Sequence, residues 1–318
     1  MKVSVLGCGR WGSFIAWYLA GHGHEVCEWG RKGASYDKLK NGGNEYVATD
    51  KRIILTSDLK KAADFTDVIA ISISAQGLRS LMTELSEVTD INKKTFILCM
   101  KGIEVSTGKR LSEVVKDFGV SGEKIAVWVG PGHIQAFTQG KPNCMVIDSE
   151  SEALVKRFAD GFRSDLIRFY YGDDIIGSEI GAAAKNVIGI AAGMLDGGEL
   201  STLKGPLMAR GAREVARLIK AMGGNELSAY GLCHLGDYET TLFSEYSNNR
   251  AFGEKFVKKE PFTKLAEGVS TAKALKTLGE RYGVDLPITN AVYSILYENK
   301  DPMQEFLKVF SRSTRKEF

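Results

Sequence analysis

Proline is scarce: six residues in 318, which leaves no Pro-rich linker or spacer anywhere along the chain. Cysteine is equally uninformative as a framework, since Cys8, Cys27, Cys99, Cys144 and Cys233 form no Cys-x-x-Cys pair and no histidine stands at metal-ligand spacing from them. An odd set of isolated thiols excludes a disulfide scaffold and a zinc site, and a reducing, cytoplasmic compartment is the expectation. Neither charge sign dominates: 42 Lys and Arg against 39 Asp and Glu give a net +3, with no basic stripe or charge block, so nucleic acid is not expected as a partner. No uncharged apolar stretch reaches 18 residues, and the opening Met1–Gly7 is too short an apolar run for a signal peptide, so no membrane span or secretion is expected. Metal chemistry has no support either.

What the chain does have is glycine and length. Its 35 glycines are about 11%, above the roughly 7% norm, which points to tight turns and close packing. A 44% apolar, 25% charged composition is that of a globular protein, and 318 residues suggest about two domains. Through roughly residue 170, short apolar runs alternate with helical patterns. Strands are expected at Lys2–Leu6, Glu25–Trp29, Asp67–Ser72, Thr95–Met100, Ala126–Val129 and Cys144–Asp148, with a further candidate at Leu166–Tyr171. Such alternation predicts βαβ units around a parallel, doubly wound sheet. From Asp173 onward the pattern is helical, with long stretches at Ile176–Leu195, Pro206–Met222 and Thr271–Tyr282. The polar turn cluster Gly172-Asp173-Asp174 sets the expected boundary: residues 1–172 as an α/β nucleotide-binding domain and 173–318 as a mostly α-helical substrate-binding domain. The basic tail Ser311–Lys316 reads as a solvated end.

Gly7-Cys8-Gly9-Arg10-Trp11-Gly12 directly follows the first strand and precedes an apolar helical stretch, which is the context a dinucleotide fingerprint requires. Gly7 permits the tight turn, Gly9 lets the backbone approach a pyrophosphate, and Gly12 lets helix pack on strand. The second strand ends Glu28-Trp29-Gly30-Arg31-Lys32. Glu28 still lies inside it and Arg31 lies past its end, so the adenosine ribose is expected to meet a guanidinium and NADP is favoured over NAD.

In the second half, Ile180–Leu195 carries a single charge, Lys185. A helix apolar all round is buried, and a buried ammonium is either paired, lowered in pKa or extended to solvent along its own stem. A lowered lysine pKa suits proton transfer to a carbonyl oxygen. Asp237, after two closely spaced glycines, is placed either to orient a lysine or to serve a turn. Lys101 follows a strand end, where it either faces the ligand crevice or is solvated. Ser247-Asn248-Asn249-Arg250 is either an ordinary loop or a set of hydrogen-bond donors for an anion.

These pieces, in this order, make the chain resemble the bacterial-type NAD(P)-dependent glycerol-3-phosphate dehydrogenases over nearly its whole length. The resemblance is carried by Gly7–Gly12 with Trp11, Lys101-Gly-Ile-Glu104, Gly130-Pro131, Asp174-Ile-Ile-Gly177, Glu179-Ile-Gly181 with Lys185-Asn186-Val, and Lys204. It continues through Arg210-Gly211, Gly236-Asp237, Ser247 with Asn249-Arg250, Glu267-Gly268 and Leu286-Pro287-Ile288. It implies interconversion of dihydroxyacetone phosphate and sn-glycerol 3-phosphate by hydride transfer, feeding phospholipid synthesis, and a homodimer. It makes Lys185 the proton-transferring lysine, Asp237 the carboxylate of the substrate pocket and Lys101 a contact to substrate and cofactor. Gly130, Ser247, Asn248, Asn249 and Arg250 become substrate contacts. Gly7, Gly9, Arg10, Trp11, Gly12, Arg31 and Glu267 become cofactor contacts.

Three departures fall on the substrate side. The family's Ser-Arg-Asn is here Ser247-Asn248-Asn249, its Gly-Asp-Asn is Leu200-Ser201-Thr202, and its Gly-Pro-Ser is Gly130-Pro131-Gly132. Loss of the arginine removes a bidentate, charge-assisted phosphate partner, for which Arg250, Lys204 or Arg210 are the candidate replacements. The departures keep two alternatives open: a reductase of a different carbonyl substrate on the same scaffold, and a non-catalytic NADP-binding protein.

Overall fold

The computed structural model describes residues 1–311; the tail beyond Ser311 lies outside the described residues. Eight strands form one sheet: β1 (Lys2–Leu6), β2 (Glu25–Trp29), β3 (Ile53–Thr56), β4 (Val68–Ile71), β5 (Thr95–Leu98), β6 (Ile125–Val129), β7 (Asn143–Ser149) and β8 (Ile167–Tyr171), in the order β3-β2-β1-β4-β5-β6-β7-β8. The strands alternate with α1 (Arg10–Gly21), α2 (Ala34–Lys40), α3 (Leu59–Phe65), α4 (Leu78–Val88), α5 (Leu111–Lys116), α6 (Ile134–Thr138) and α7 (Glu152–Phe162).

β1 and β4 pair in parallel although β2 and β3 lie between them in the chain, so the winding reverses at this point. A crevice at the carboxyl ends of the strands follows from that reversal. Two apolar layers cover the sheet, one centred on Phe14, Trp128 and Phe162 and the other on Ile69, Leu85 and Phe96. Both faces of the central strands are therefore dry, which explains their near-continuous apolar runs.

The sheet departs from the expected one in two ways. β3 is an additional edge strand; Ile53-Ile-Leu-Thr56 is short and half exposed, and so carries a weak apolar signal. The sheet is also not wholly parallel: β7 runs antiparallel to β6, and β8 then parallel to β7. The link from β6 to β7 holds only the five-residue α6.

Beyond Tyr171 the chain is helical: α8 (Ile175–Gly197), α9 (Lys204–Ala221), α10 (Asn248–Val257), α11 (Glu267–Tyr282), α12 (Pro287–Tyr297) and α13 (Pro302–Phe310). α8 is the axis of this half. By length and composition it could cross a membrane, but 94% of its apolar window is buried inside the protein, which makes it a core helix. Glycine brings α10 against it: a Cβ on Gly253 would lie 2.1 Å from the Ile190 carbonyl oxygen, and one on Gly193 would lie 1.9 Å from that of Arg250. The two halves are tied together by the buried Glu179 of α8, which accepts hydrogen bonds from Arg110 (2.7 Å) and from the Ser112 amide (2.8 Å) and hydroxyl (2.6 Å). A buried carboxylate with three donors, one of them a guanidinium, is a satisfied one.

Candidate active site

A cleft of about 690 Å³ opens where the carboxyl ends of β1, β2, β4, β5 and β6 meet the helical half. Its walls carry Gly7–Trp11 after β1, Trp29–Arg31 at the end of β2, Ser72–Ser74 after β4, Cys99–Lys101 after β5 and Gly132-His133 after β6. Lys185, Asn186, Thr240, Thr241, Tyr246–Asn249, Leu265 and Glu267 close it from the other side.

The loop after β1 fits a dinucleotide pyrophosphate. Gly7 sits at φ +124°, and a Cβ there would lie 2.1 Å from the Ser72 carbonyl oxygen; a Cβ on Gly12 would lie 1.8 Å from that of Gly7. These two glycines are demanded by turn and packing. Gly9 is different: a Cβ there would meet nothing within 4 Å, so its backbone faces open cleft at the N-terminus of the 12-residue α1. Free amides at that end are a ready anion site. Arg10 and Trp11 stand in the same wall, Arg10 over the Tyr46 ring and Trp11 against Phe14 and Phe137. Arg31 lies farther along, at the end of β2. Glu267 reaches across from α11, its carboxylate 3.4 Å from the Ala75 amide and pushed upward in pKa by burial.

Across the cleft, three charged groups meet. Asp237, 1% exposed, accepts from Lys185 Nζ and Lys101 Nζ at 2.7 Å each, and its second oxygen accepts from the Thr240 hydroxyl. Lys185 also donates to Thr241 Oγ1 (2.8 Å), and Lys101 to the Gly130 carbonyl (2.8 Å). Two ammonium groups share one carboxylate, leaving the cluster net positive towards the cleft. Burial pulls the Lys185 pKa down to about 8, against the upward pull of Asp237 and with a further downward push from Lys101. Burial alone would raise Asp237, but the adjacent Lys101 and Lys185 hold it below its ordinary value. The constellation depends on local structure: a single π-helical turn, Glu239–Phe243, places Thr240 and Thr241 towards the cleft. Just upstream, buried His234 bonds the Gly181 carbonyl (2.9 Å) and Tyr238 (2.7 Å), fixing the Asp237 segment on α8.

The remaining polar residues form a relay along the helical wall. Asn249 donates to Asn186 Oδ1 (3.0 Å) and accepts from the Gly268 amide (2.9 Å). Ser247 caps α10 by accepting from the Arg250 amide (3.3 Å), and Asn248 donates to the Leu265 carbonyl (3.2 Å). Ser247, Asn248 and Asn249 all line the cleft. Arg250 does not. Its guanidinium is held by Asp196 (2.8 Å) and Glu254 (3.0 Å), and Lys204 is bound to the same Asp196 (2.6 Å). Arg210 and Thr202 are exposed outside the cleft wall. The expectation that Arg250 contacts the substrate is therefore corrected: Asp196 at the end of α8, with Glu254 one turn along α10, captures its charge. Gly12, Gly130 and Asp237 stand behind the lining rather than in it.

Several residues of the lining were not singled out from sequence as site residues, among them Asn186, Thr240, Thr241, His133 and Tyr246. Asn186 alone had a signal, as the polar neighbour of Lys185 in an apolar helix. His133 touches the Tyr246 ring edge-on; burial, then Lys185 and Arg10, lower its pKa.

Known proteins with this arrangement were found at the level of sequence and fold. Residues 2–155 match the profile of the NAD-dependent glycerol-3-phosphate dehydrogenase N-terminus, and residues 174–307 that of its C-terminus. A glycerol-3-phosphate dehydrogenase [NAD(P)+] of Chlorobium phaeobacteroides is 34% identical, covering 100% of this chain and 99% of its own. That of Staphylococcus aureus is 34% identical over 94% of each. Among solved structures, the glycerol-3-phosphate dehydrogenase of Coxiella burnetii superposes with a TM-score of 0.88 at 25% identity, over 98% of this chain and 99% of that one. D-mandelate dehydrogenase, at 18% identity and a TM-score of 0.66, shares the fold.

Proposed function

The chain belongs to the NAD-dependent glycerol-3-phosphate dehydrogenase family, and on that premise we propose how its cleft reduces dihydroxyacetone phosphate to sn-glycerol 3-phosphate, reversibly, with NADH or NADPH. The observation that carries the reading is the Lys185–Asp237–Lys101 cluster facing the glycine loop across one cleft. Bound nicotinamide supplies the hydride to the carbonyl carbon. Lys185 gives its Nζ proton to the carbonyl oxygen as that oxygen gains charge, and regains a proton from solvent after the alcohol leaves. A pKa near 8 keeps Lys185 protonated at neutral pH yet acidic enough to donate. Lys101 adds a second positive charge beside the developing alkoxide, and Asp237 holds both ammonium groups in place. Thr241, donated to by Lys185 and lying in the cleft wall, fixes the ammonium's direction.

Gly9, Arg10 and Trp11 receive the coenzyme phosphates on a loop whose shape Gly7 and Gly12 fix, and Arg31 at the adenosine end favours NADP. Ser247, Asn248 and Asn249, with the ammonium groups, receive the substrate. We place the domain boundary at residues 172/173, where β8 gives way to α8, and assign the product to glycerophospholipid synthesis. We extend the same reading to a cytoplasmic homodimer; the five unpaired cysteines fit a reducing compartment.

A second reading has its own observation. No guanidinium lies at position 248, and both Arg250 and Lys204 are committed to Asp196, so the substrate's anionic group meets amides, hydroxyls and lysines instead. A substrate with a different acidic group fits that wall as well. Steady-state oxidation of NADPH and NADH with dihydroxyacetone phosphate, dihydroxyacetone and other phosphorylated ketones decides. Turnover confined to dihydroxyacetone phosphate supports the first reading; faster turnover of another ketone replaces it with the second.

A further inference from the structure

The adenosine end of the cleft is built from Trp29, Gly30, Arg31 and Ser35 on one side and Ser80 and Leu81 of α4 on the other. Here the Arg31 guanidinium donates to Glu84 Oε1, and the same oxygen accepts from Ser80 Oγ at 3.1 Å. Arg31 is 65% exposed and Glu84 39%. The carboxylate that a dinucleotide fold ordinarily presents from the end of its second strand is absent from that strand's end. Glu28, the acid β2 does carry, is 3% exposed, and its Oε1 is buried without a partner; it lines a separate small cavity with Ser13 and Trp17. Glu84, one turn along α4 from Ser80 and just outside the cleft lining, brings a carboxylate to this end of the cleft through its bond to Arg31.

We propose that Arg31 and Glu84 together set the preference between NAD and NADP, Glu84 accepting from the ribose 2′-hydroxyl of NAD and Arg31 pairing with the 2′-phosphate of NADP. The two coenzymes differ at that one group, and the pair offers one partner to each. A hydroxyl needs an acceptor, which a carboxylate gives; a phosphate dianion needs a guanidinium, which takes it in charge-assisted bonds. Each half also opposes the other's ligand: Glu84 repels the phosphate and occupies the guanidinium that would bind it. A half-exposed ion pair is weak enough to part when a doubly charged group arrives. The proposal rests on the cleft being the coenzyme site, and it predicts a tempered preference rather than an exclusive one.

The test is direct binding, followed by the fluorescence of NADPH and NADH without substrate, on the full chain and on Glu84→Gln, Arg31→Gln and the double variant. Glu84→Gln is expected to tighten NADPH by about threefold to tenfold and to weaken NADH by about threefold, since repulsion is lifted and an acceptor is weakened. Arg31→Gln is expected to weaken NADPH by tenfold or more, in a salt-dependent way, with NADH within about twofold. In the double variant the gain from Glu84→Gln should be lost, because the guanidinium it frees is gone. Opposite movements of the NADPH-to-NADH ratio by the two halves of one ion pair are what a merely structural bridge would not produce. Ratios that move the same way, or by less than about twofold in either single variant, would overturn the proposal. Failure of the unaltered protein to bind either coenzyme would overturn the reading of the cleft itself.

Discussion

The two walls of the cleft are built on different principles. The coenzyme's phosphate loop is contiguous: Gly7, Gly9 and Gly12 lie within six residues, and their roles are fixed by backbone geometry. The opposite wall is gathered from afar. Lys101 and Asp237, 136 residues apart, meet through side chains, as do Lys185 and Thr241, 56 apart. A backbone cradle works through absent side chains and is changed by adding atoms. A charged cluster works through present ones and is changed by removing them, with consequences that spread to each partner's pKa.

Removing one charge should therefore have the largest effect. Lys185→Ala is expected to lower kcat for ketone reduction by at least about a hundredfold through loss of the general acid, with NADPH binding unchanged by fluorescence titration. Near-normal turnover would break the comparison outright. Asp237→Asn sharpens it through pH. Reduction requires protonated Lys185, so kcat/KM should fall as pH rises through about 8; Asp237 raises that pKa, so its neutralisation should move the falling limb to lower pH and cut the rate by about tenfold at neutrality. A limb that stays in place would show that Asp237 does not govern Lys185.

Adding an atom tests the other wall. Gly9 has an ordinary φ of −79° and open space where a Cβ would stand, so Gly9→Ala should leave the melting temperature within about 2 °C. It should nevertheless weaken coenzyme binding by about tenfold, because the methyl occupies the phosphate's approach. Unaltered binding would mean that the loop is a packing turn.

The smallest effect concerns stability. Burial raises Glu28 from 4.5 to about 8. The folded protein keeps this proton while the unfolded chain gives it up, so stability declines as pH rises from about 4.5 towards 8. Glu28→Gln removes that decline: thermal melts should show little change near pH 4.5 and a stabilisation that grows as the pH is raised to 8. Equal melting shifts at both pH values would contradict it.

Much of this site was legible before the structure. Lys185 stood out as the lone charge in an apolar helix, which left open whether it is paired, lowered in pKa or extended to solvent; the fold decides for burial beside Asp237, with its pKa pulled down to about 8. Lys101 was marked by its place after a strand. Thr240, Thr241, His133 and Tyr246 were not, because hydroxyls and rings in loops carry no periodic signal and a π turn has no sequence signature here. Arg250 shows the opposite failure: a cation beside the right motif is drawn to Asp196, 54 residues away, and its motif position does not reveal it. β3 escaped because a four-residue edge strand buries little, and the reversal of β7 escaped because strand patterns are the same in either direction.

By itself, the sequence determined the order of elements, the glycine cradle after β1 and the buried lysine, since each rests on local spacing and on the cost of burying a charge. Only the tertiary structure decided which carboxylate each cation meets. Asp237 takes Lys101 and Lys185, Asp196 takes Lys204 and Arg250, and Glu84 takes Arg31. Charge pairing falls off over a few ångströms, and distances of that size between residues far apart in the chain exist only once the helices have packed.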